Sequence, residues 1–412
     1  MQEVQHVFIV GAKSMGAYGG YETFVNKLTE YHAREKQLQY HVACKGNGVG
    51  SRQESTMEGM TRLSRTEFMY HNAHCFKVFV PKWMGPAQAI WYDVMALKRA
   101  CEIIRRENIP HPIVYILACR IGPFMAHWVR KIHALGGQVF LNPDGHEWKR
   151  GKWSLPIRRY WKYSEGQMVT RSDRIICDSE NIRSYIHQSY NGKCAHGTDP
   201  VTDFIAYGTE TRPSRLADDD PVFESWLRMK GLERGSYYLI VGRFVPENNY
   251  ETMLREFMAS DSTRSLAIIA NANARLLAEL EEKLHFSADS RVKFTGTVYD
   301  QELLMKIREN AWGYFHGHEV GGTNPSLLEA LASTELNMLL DVCFNREVAE
   351  DAALYWDKTP GSLRDLIHRC DAMTPDRRLQ LGSRAKNRIR SAYSWEHIAG
   401  QYAQAFLRKD LL

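Results

Sequence analysis

The sequence predicts an α/β protein built from two doubly wound, Rossmann-like domains joined at one hinge. Three observations predict it. Short apolar runs recur along the 412 residues, each followed by a longer amphipathic stretch. Runs of that length, separated by helical patterns, read as parallel strands covered on both faces by crossover helices. The alternation breaks once, at the polar, Pro-containing stretch 208–220 (GTETRPSRLADDD), and then restarts. The composition, 44% hydrophobic and 25% charged, is that of a globular chain long enough for roughly two to three domains.

In order, the strand-like runs of the first half are 6–10 (HVFIV), 38–43 (LQYHVA), 76–80 (FKVFV), 113–118 (IVYILA), 138–142 (QVFLN), 174–178 (RIICD) and 203–207 (DFIAY). Helical patterns such as 21–32 and 90–107 lie between them. After the break come 237–242 (YYLIVG), 265–270 (SLAIIA), 291–296 (RVKFTG), 312–316 (WGYFH) and 336–341 (LNMLLD). The expected division is a first domain over 1–207, a linker over 208–235, a second domain over 236–392 and a helical tail over 393–412. Two such domains facing each other would put a ligand in the cleft between them, because open α/β sheets bind at the carboxyl ends of their strands.

Several function classes are excluded. Fifty-three Lys and Arg against 48 Asp and Glu give a net charge of +5, too mild for a dedicated nucleic-acid binder. No apolar run approaches the ~18 residues that span a bilayer. The start, MQEVQHVFIVG, has no basic segment before its apolar run, so no signal peptide is expected. The eight cysteines are scattered without a CxxC pair and read as thiols in a reducing cytosol.

Four βα loops carry candidate chemistry. Residues 11–24 (GAKSMGAYGGYETF) place Gly19 and Gly20 before a helix, where backbone N–H groups favour an anion. The spacing is neither GxGxxG nor GK[ST], which argues against a dinucleotide oxidoreductase and a mononucleotide P-loop; the glycine-rich 45–50 (KGNGVG) lacks both signatures too and reads as a flexible loop. Residues 242–249 (GRFVPENN) put Arg243 at a strand end, where a guanidinium suits a diphosphate. Residues 316–332 (HGHEVGGTNPSLLEALA) run from a strand through Gly322, Thr323, Asn324 and Ser326 into a helix carrying Glu329. Those amides and hydroxyls suit a pyrophosphate and Glu329 a ribose diol. The same spacing equally fits Ser326 as a helix cap with Glu329 closing a capping box. Residues 142–153 (NPDGHEWKRGKW) crowd Asp144, His146 and Glu147 on one turn, fit to orient an acceptor hydroxyl and without the spacing of a metal site. Trp148, Lys149, Arg150 and Trp153, with Lys152 and 158–162 (RRYWK), mix aromatic and cationic side chains as a lipid headgroup interface does; Trp83, Met84 and Trp91 in 81–92 add to the pattern.

Together these motifs resemble the GT-B glycosyltransferases of retaining family 4. VGRFVPENN resembles that family's VGRLxxxKN loop, HEVGGTNPSLLEALA its EGFGLPLLEAMA signature, and YSWEHIAGQY (393–402) its FSWExxA helix. YGGYETFVNKLTEY, DGHEWKRGKWS, GRFVPENNYETM, IIANAN and GGTNPSLLEAL resemble more closely the bacterial β-1,4-rhamnosyltransferases of capsule and rhamnan synthesis. The resemblance implies two Rossmann-like domains with a C-terminal helix crossing back to the first, the first domain binding acceptor and the second nucleotide sugar. It implies transfer of L-rhamnose from dTDP-β-L-rhamnose, without a metal or other cofactor, to a GlcNAc or glucose on a polyprenyl diphosphate. The expected location is cytoplasmic, peripheral on the inner face of the cell membrane, with no nucleic-acid partner.

Carried over residue by residue, Arg243 binds the donor diphosphate, and Gly19 and Gly20 sit against the phosphates from the other side. Gly322, Thr323 and Asn324 hold donor sugar and phosphate, with Ser326 beside them. Glu329 binds the ribose, and Tyr299 lies near the base. Asp144 and Glu147 are the candidates for catalytic or sugar contact. Two positions depart from the family pattern. Its usual Lys is Asn248 here, which stays among the expected donor-binding residues, and the first Glu of its E-x7-E pair falls on Gly321, with Glu319 two residues away. Two other readings stay open: a family-4 transferase using a UDP-sugar, and a non-catalytic GT-B subunit that binds sugar nucleotide.

Overall fold

The computed structural model describes residues 4–16, 19–51, 57–151, 153–271 and 273–408. The chain forms two compact units, Met1–Tyr207 with Trp395–Leu412, and Gly208–Ser394.

The first unit's sheet contains β1 (Gln5–Val10), β2 (Leu38–Lys45), β3 (Thr61–Arg62), β4 (Glu67–Tyr70), β5 (Ala73–Val78), β6 (Ile113–Leu117), β7 (Gln138–Asn142), β8 (Arg174–Cys177) and β9 (Thr202–Phe204). Its order is β3-β4-β5-β2-β1-β6-β7-β8-β9. From β5 to β9 neighbouring strands are parallel; β3–β4–β5 is an antiparallel extension at one edge. The helices are α1 (Gly20–Tyr31), α2 (Gln88–Glu107), α3 (Gly122–His133), α4 (Leu155–Val169) and α5 (Glu180–Tyr190). The central strands are buried along their length, and residues such as Val10, Ile116, Leu141 and Ile175 share one core with Ala96, Leu97, Met125 and Met168 of the helices.

The second unit begins with α6 (Pro221–Lys230). This corrects the linker expected over 208–235. Asp220 accepts from the Val222 N–H as an N-cap, Pro221 opens the first turn, and Phe223, Trp226 and Leu227 enter the unit's core. The acidic, Pro-containing start that looked like linker is a helix-start signal. The strands β10 (Tyr237–Val241), β11 (Ser265–Ile269), β12 (Val292–Gly296), β13 (Gly313–His316), β14 (Asn337–Leu340) and β15 (Leu354–Trp356) lie in the order β12-β11-β10-β13-β14-β15, all parallel. Around them are α7 (Tyr250–Met258), α8 (Ala274–Leu284), α9 (Gln301–Glu309), α10 (Pro325–Ser333), α11 (Cys343–Ala349), α12 (Ser362–Asp371) and α13 (Pro375–Ala392).

The last helix, α14 (Trp395–Leu407), belongs to the first unit. His32 of that unit hydrogen-bonds the Ala399 carbonyl at 2.9 Å, and the Tyr115 and Tyr402 hydroxyls meet at 3.1 Å. Phe406 packs on Tyr115 and Phe140, and Phe24 on Tyr402. The helix thus covers α1 and the β1–β6–β7 face with a continuous aromatic layer. Among the described residues no helix is long and apolar enough to cross a membrane.

Candidate functional site

In the second unit, β10 and β13 are parallel neighbours, so the loops leaving their carboxyl ends emerge side by side. Gly317 lets them touch: a Cβ there would lie 2.4 Å from the Asn248 carbonyl oxygen. The Asn248 amide then joins them. Its Nδ2 donates to the Arg243 carbonyl at 2.7 Å, and its Oδ1 accepts from His318 Nδ1 at 2.7 Å. Asn249, in the left-handed region at φ 55°, donates to the Gly317 carbonyl at 2.8 Å and to Glu319 at 3.0 Å. Glu319, near the position of the family's first Glu, is further paired with Lys358.

Arg243 is the residue this network leaves out. It is exposed at the carboxyl end of β10, and its guanidinium bonds no described residue, although its carbonyl is tied down by Asn248 and Val245. Beside it the chain passes through Gly321 and Gly322, whose amides have no backbone acceptor among the described residues. The chain then enters α10 with Asn324 as N-cap and Pro325 at the first helical position. An unpaired guanidinium, open amides and a helix N-terminus make an electropositive recess for an anion.

Asn324, not Ser326, caps α10, accepting from the Ser326 N–H at 2.9 Å. The Ser326 hydroxyl instead donates to the Val241 carbonyl at 2.8 Å, pinning the helix start to the end of β10. Glu329 therefore closes no capping box. It projects from the second turn and pairs with the buried Arg308 of α9 at 2.5 Å. Thr323 is buried, and Tyr299 stands exposed on the turn before α9. Two residues that the sequence did not single out also line this end of the sheet. Glu247 is buried with Oε2 unpartnered. His316 ends β13 with Nε2 unpartnered; burial, then neighbouring His318, drives its pKa well down, so the ring is neutral. Each is a polar residue within a few positions of a strand's carboxyl end, which was the available signal.

The first unit carries a second polar cluster, at the end of β7. Asp144 is held in the left-handed region, φ 58°, with its N–H donated to Asn142 Oδ1 at 2.9 Å and its own Oδ1 accepting from Gly145 at 2.8 Å. Glu147 is engaged on both oxygens, by Trp153 Nε1 at 2.8 Å and Arg150 Nε at 2.6 Å. Of the two carboxylates Asp144 is the more exposed, 30% against 12%, with Arg150 3.8 Å away. His146 packs against Tyr185 with the rings tilted at 55°, and burial lowers its pKa to about 4. Trp148, Arg150 and Trp153 are drawn into this packing rather than displayed, while Lys149 is exposed; Lys152 lies outside the described residues. Arg120, also unremarked in the sequence, pairs with buried Asp93 at 3.1 Å and donates to the Gly11 carbonyl at 3.1 Å.

At the start of α1, a Cβ on Gly19 would fall 2.0 Å from Glu22 Oε2. The buried Glu22 accepts from the Lys13 N–H at 2.8 Å. That carboxylate lies in the first turn of the helix, next to Gly19, at the end where a phosphate was expected against Gly19 and Gly20. Gly20 has open space at its Cβ position, and its carbonyl accepts from Tyr207. Among the described residues no group of three or more His, Cys, Asp or Glu side chains is placed to hold a metal ion.

Solved structures share this architecture over the whole chain. Sucrose-phosphate synthase from Thermosynechococcus elongatus matches at 15% identity, covering 98% of both chains with a TM-score of 0.71. A glycosyltransferase from Rickettsia africae matches at 10% identity over 100% of both chains, TM-score 0.72. HepE from Anabaena, solved with UDP and glucose, matches at 12% identity over 98% of this chain and 99% of its own, TM-score 0.69. The fold is therefore GT-B: two parallel-sheet, Rossmann-like units with a C-terminal helix returned to the first. No curated protein sequence matches the chain. One family model does, over residues 4–210, just over half of the 412. The chain accordingly belongs to the family described as Domain of unknown function (DUF1972).

Proposed function

We propose that the protein is a retaining glycosyltransferase that moves L-rhamnose from dTDP-β-L-rhamnose to a GlcNAc or glucose carried on a polyprenyl diphosphate, at the inner face of the cell membrane. The observation that carries the reading is Arg243, an exposed guanidinium with no partner among the described residues, beside open glycine amides and the start of α10. That set suits a nucleoside diphosphate, and Glu329, oriented by Arg308, lies one helical turn further on for the ribose. HepE, of the same fold, was solved with UDP and glucose, which supports a nucleotide sugar as donor.

In the proposed reaction the bond between the anomeric carbon and the diphosphate breaks, and Arg243 with the loop amides stabilises the charge that develops on the leaving oxygen. The acceptor hydroxyl attacks from the face that the diphosphate leaves and passes its proton to the departing phosphate oxygen. Retention then gives a β-rhamnoside. Asp144, the less engaged carboxylate of the first unit, orients the acceptor; Glu147 holds Trp153 and Arg150 in place. No protein metal or other cofactor takes part in this scheme.

A donor panel offered with short polyprenyl-diphosphate GlcNAc and glucose acceptors tests it, the linkage being read by NMR. Consumption of dTDP-rhamnose only when acceptor is present, with a β-linked product, is the expected result. The HepE ligand favours one second reading, a UDP-sugar donor. Stronger thermal stabilisation by UDP than by dTDP would select it. Failure of every donor with every acceptor would leave a non-catalytic sugar-nucleotide-binding subunit.

A further inference from the structure

Among the exposed large apolar side chains of the first unit, five fall at one edge of its sheet. Phe79 and Trp83 follow β5, Phe124 lies in the first turn of α3 after β6, and Leu155 and Ile157 open α4 after β7. Strands β5, β6 and β7 run in the same direction in one sheet, so all five residues lie at its carboxyl edge. Helix α3 packs against both α2 and α4, which puts the three helix starts on one face. Exposure is 84% for Trp83, 68% for Leu155, 54% for Phe79, 45% for Phe124 and 41% for Ile157. Surface apolar residues are ordinary singly; five on one edge, one of them an almost bare tryptophan, mark an interaction surface.

Its charge selects the partner. Exposed Lys82, Lys149 and Arg159 interleave with the apolar residues. In the β7 loop Arg150 lies between two carboxylates, 2.6 Å from Glu147 and 3.8 Å from Asp144, which leaves one negative charge against these three exposed cations. Three helix N-termini point the positive ends of their dipoles the same way. A protein–protein interface depletes lysine at its centre. Tryptophan and leucine beside lysine and arginine on protruding helix starts match the headgroup layer of an anionic bilayer instead.

We propose that this edge, led by Trp83, Leu155 and Ile157 with Lys82, Lys149 and Arg159, is the surface by which the protein docks on an anionic lipid bilayer. The inference deepens the lipid-linked-acceptor reading and rests on it for its purpose. Of the expected headgroup set Trp148, Lys149, Arg150 and Trp153 it keeps only the exposed Lys149, and it puts Trp83, Leu155 and Ile157 in place of the other three, which are largely packed inward.

Co-sedimentation of the full chain with vesicles of equal phosphatidylglycerol and phosphatidylcholine, and with phosphatidylcholine alone, tests it. Expected are binding to the anionic vesicles, at least ~10-fold weaker binding for W83E and for L155E/I157E, and a several-fold loss when salt is raised about tenfold. Equal retention of the variants, or no preference for anionic vesicles, overturns the proposal. So does a concentration-dependent dimer in sedimentation velocity that W83E abolishes, which would make the occupant a second copy of this chain. With a short, water-soluble acceptor the same variants keep wild-type turnover. Vesicle binding without transfer would sustain this surface and sink the transferase reading; transfer without vesicle binding would do the reverse.

Discussion

Arg243 and Asn248 sit five positions apart and have opposite fates. Asn248 uses both ends of its amide to join two loops, so it holds the backbone and adds no charge. Arg243 has the charge and no partner on the described chain. Losing a charged hydrogen bond to a developing anion costs roughly 2–4 kcal/mol. Arg243→Ala should therefore lower kcat/KM by about 30- to 1000-fold, with the larger part in kcat; turnover within ~3-fold of wild type would refute its assignment. Glu329 calls for an isosteric change, because truncating it would also take the oxygen that accepts from the buried Arg308. Glu329→Gln should raise the KM for donor about tenfold with kcat nearly unchanged, as expected for a group that binds ribose in ground and transition states alike. A fall in kcat at constant KM would contradict that role.

At the scale of elements, the segment before α6 is clamped to the start of α9 by one carboxylate. Glu302 pairs with the Arg212 guanidinium and accepts from the Arg215 N–H at 2.7 Å, and its carbonyl accepts from Ser214 at 2.8 Å. The hydrogen bond to Arg212, foremost, holds the Glu302 pKa down to about 2 from 4.5. The folded pKa is the lower one, so the stabilisation is full above pH ~5 and is lost as pH falls from about 4.5 to about 2. Undiscounted, the shift is worth ~3 kcal/mol; with a quarter of the side chain exposed to screening water, about 1–2 is expected. Glu302→Gln should lower the unfolding free energy from urea titration at pH 7 by that amount and flatten its acid dependence between pH ~4.5 and ~2. An unchanged slope would show that the clamp contributes nothing.

Elements also show where sequence reasoning reaches its limit. The central strands were legible because strands buried on both faces must be continuous apolar runs, as in 113–118 and 237–242. Of the four edge strands two were legible, as 203–207 and 291–296, and two were not: β3 is two exposed residues, and β15 has three. Arg243 was legible as a candidate because a strand end followed by a cation is a local pattern. The Asn248–His318 bond joins residues 70 positions apart, and the Glu147 contacts depend on a turn geometry that spacing does not encode. The exposure of Trp83 and the inward packing of Trp153 were equally invisible, since aromatic residues next to cations read alike in both settings.

For the whole molecule, the division into units is not a division of the sequence into halves. The last helix completes the first unit's core after the chain has built the second. Ending the chain after Ser394 would uncover Tyr40, Tyr115, Phe140 and Phe24 together and leave His32 without the Ala399 carbonyl. Burying one aromatic side chain is worth ~2–3 kcal/mol. Truncation is therefore expected to unfold the first unit selectively, seen as hydrogen exchange across β1, β6 and β7 while β10 to β14 stay protected. Equal protection in both units would mean that α14 is dispensable.

The nucleotide's position tests the account most directly. In a crystal of the protein soaked with dTDP, the diphosphate is predicted on the Arg243 guanidinium and the amides of Gly322 to Asn324, with the ribose hydroxyls on Glu329. A dTDP bound clear of these second-unit groups, at the Gly19–Gly20 turn alone or elsewhere, would contradict it.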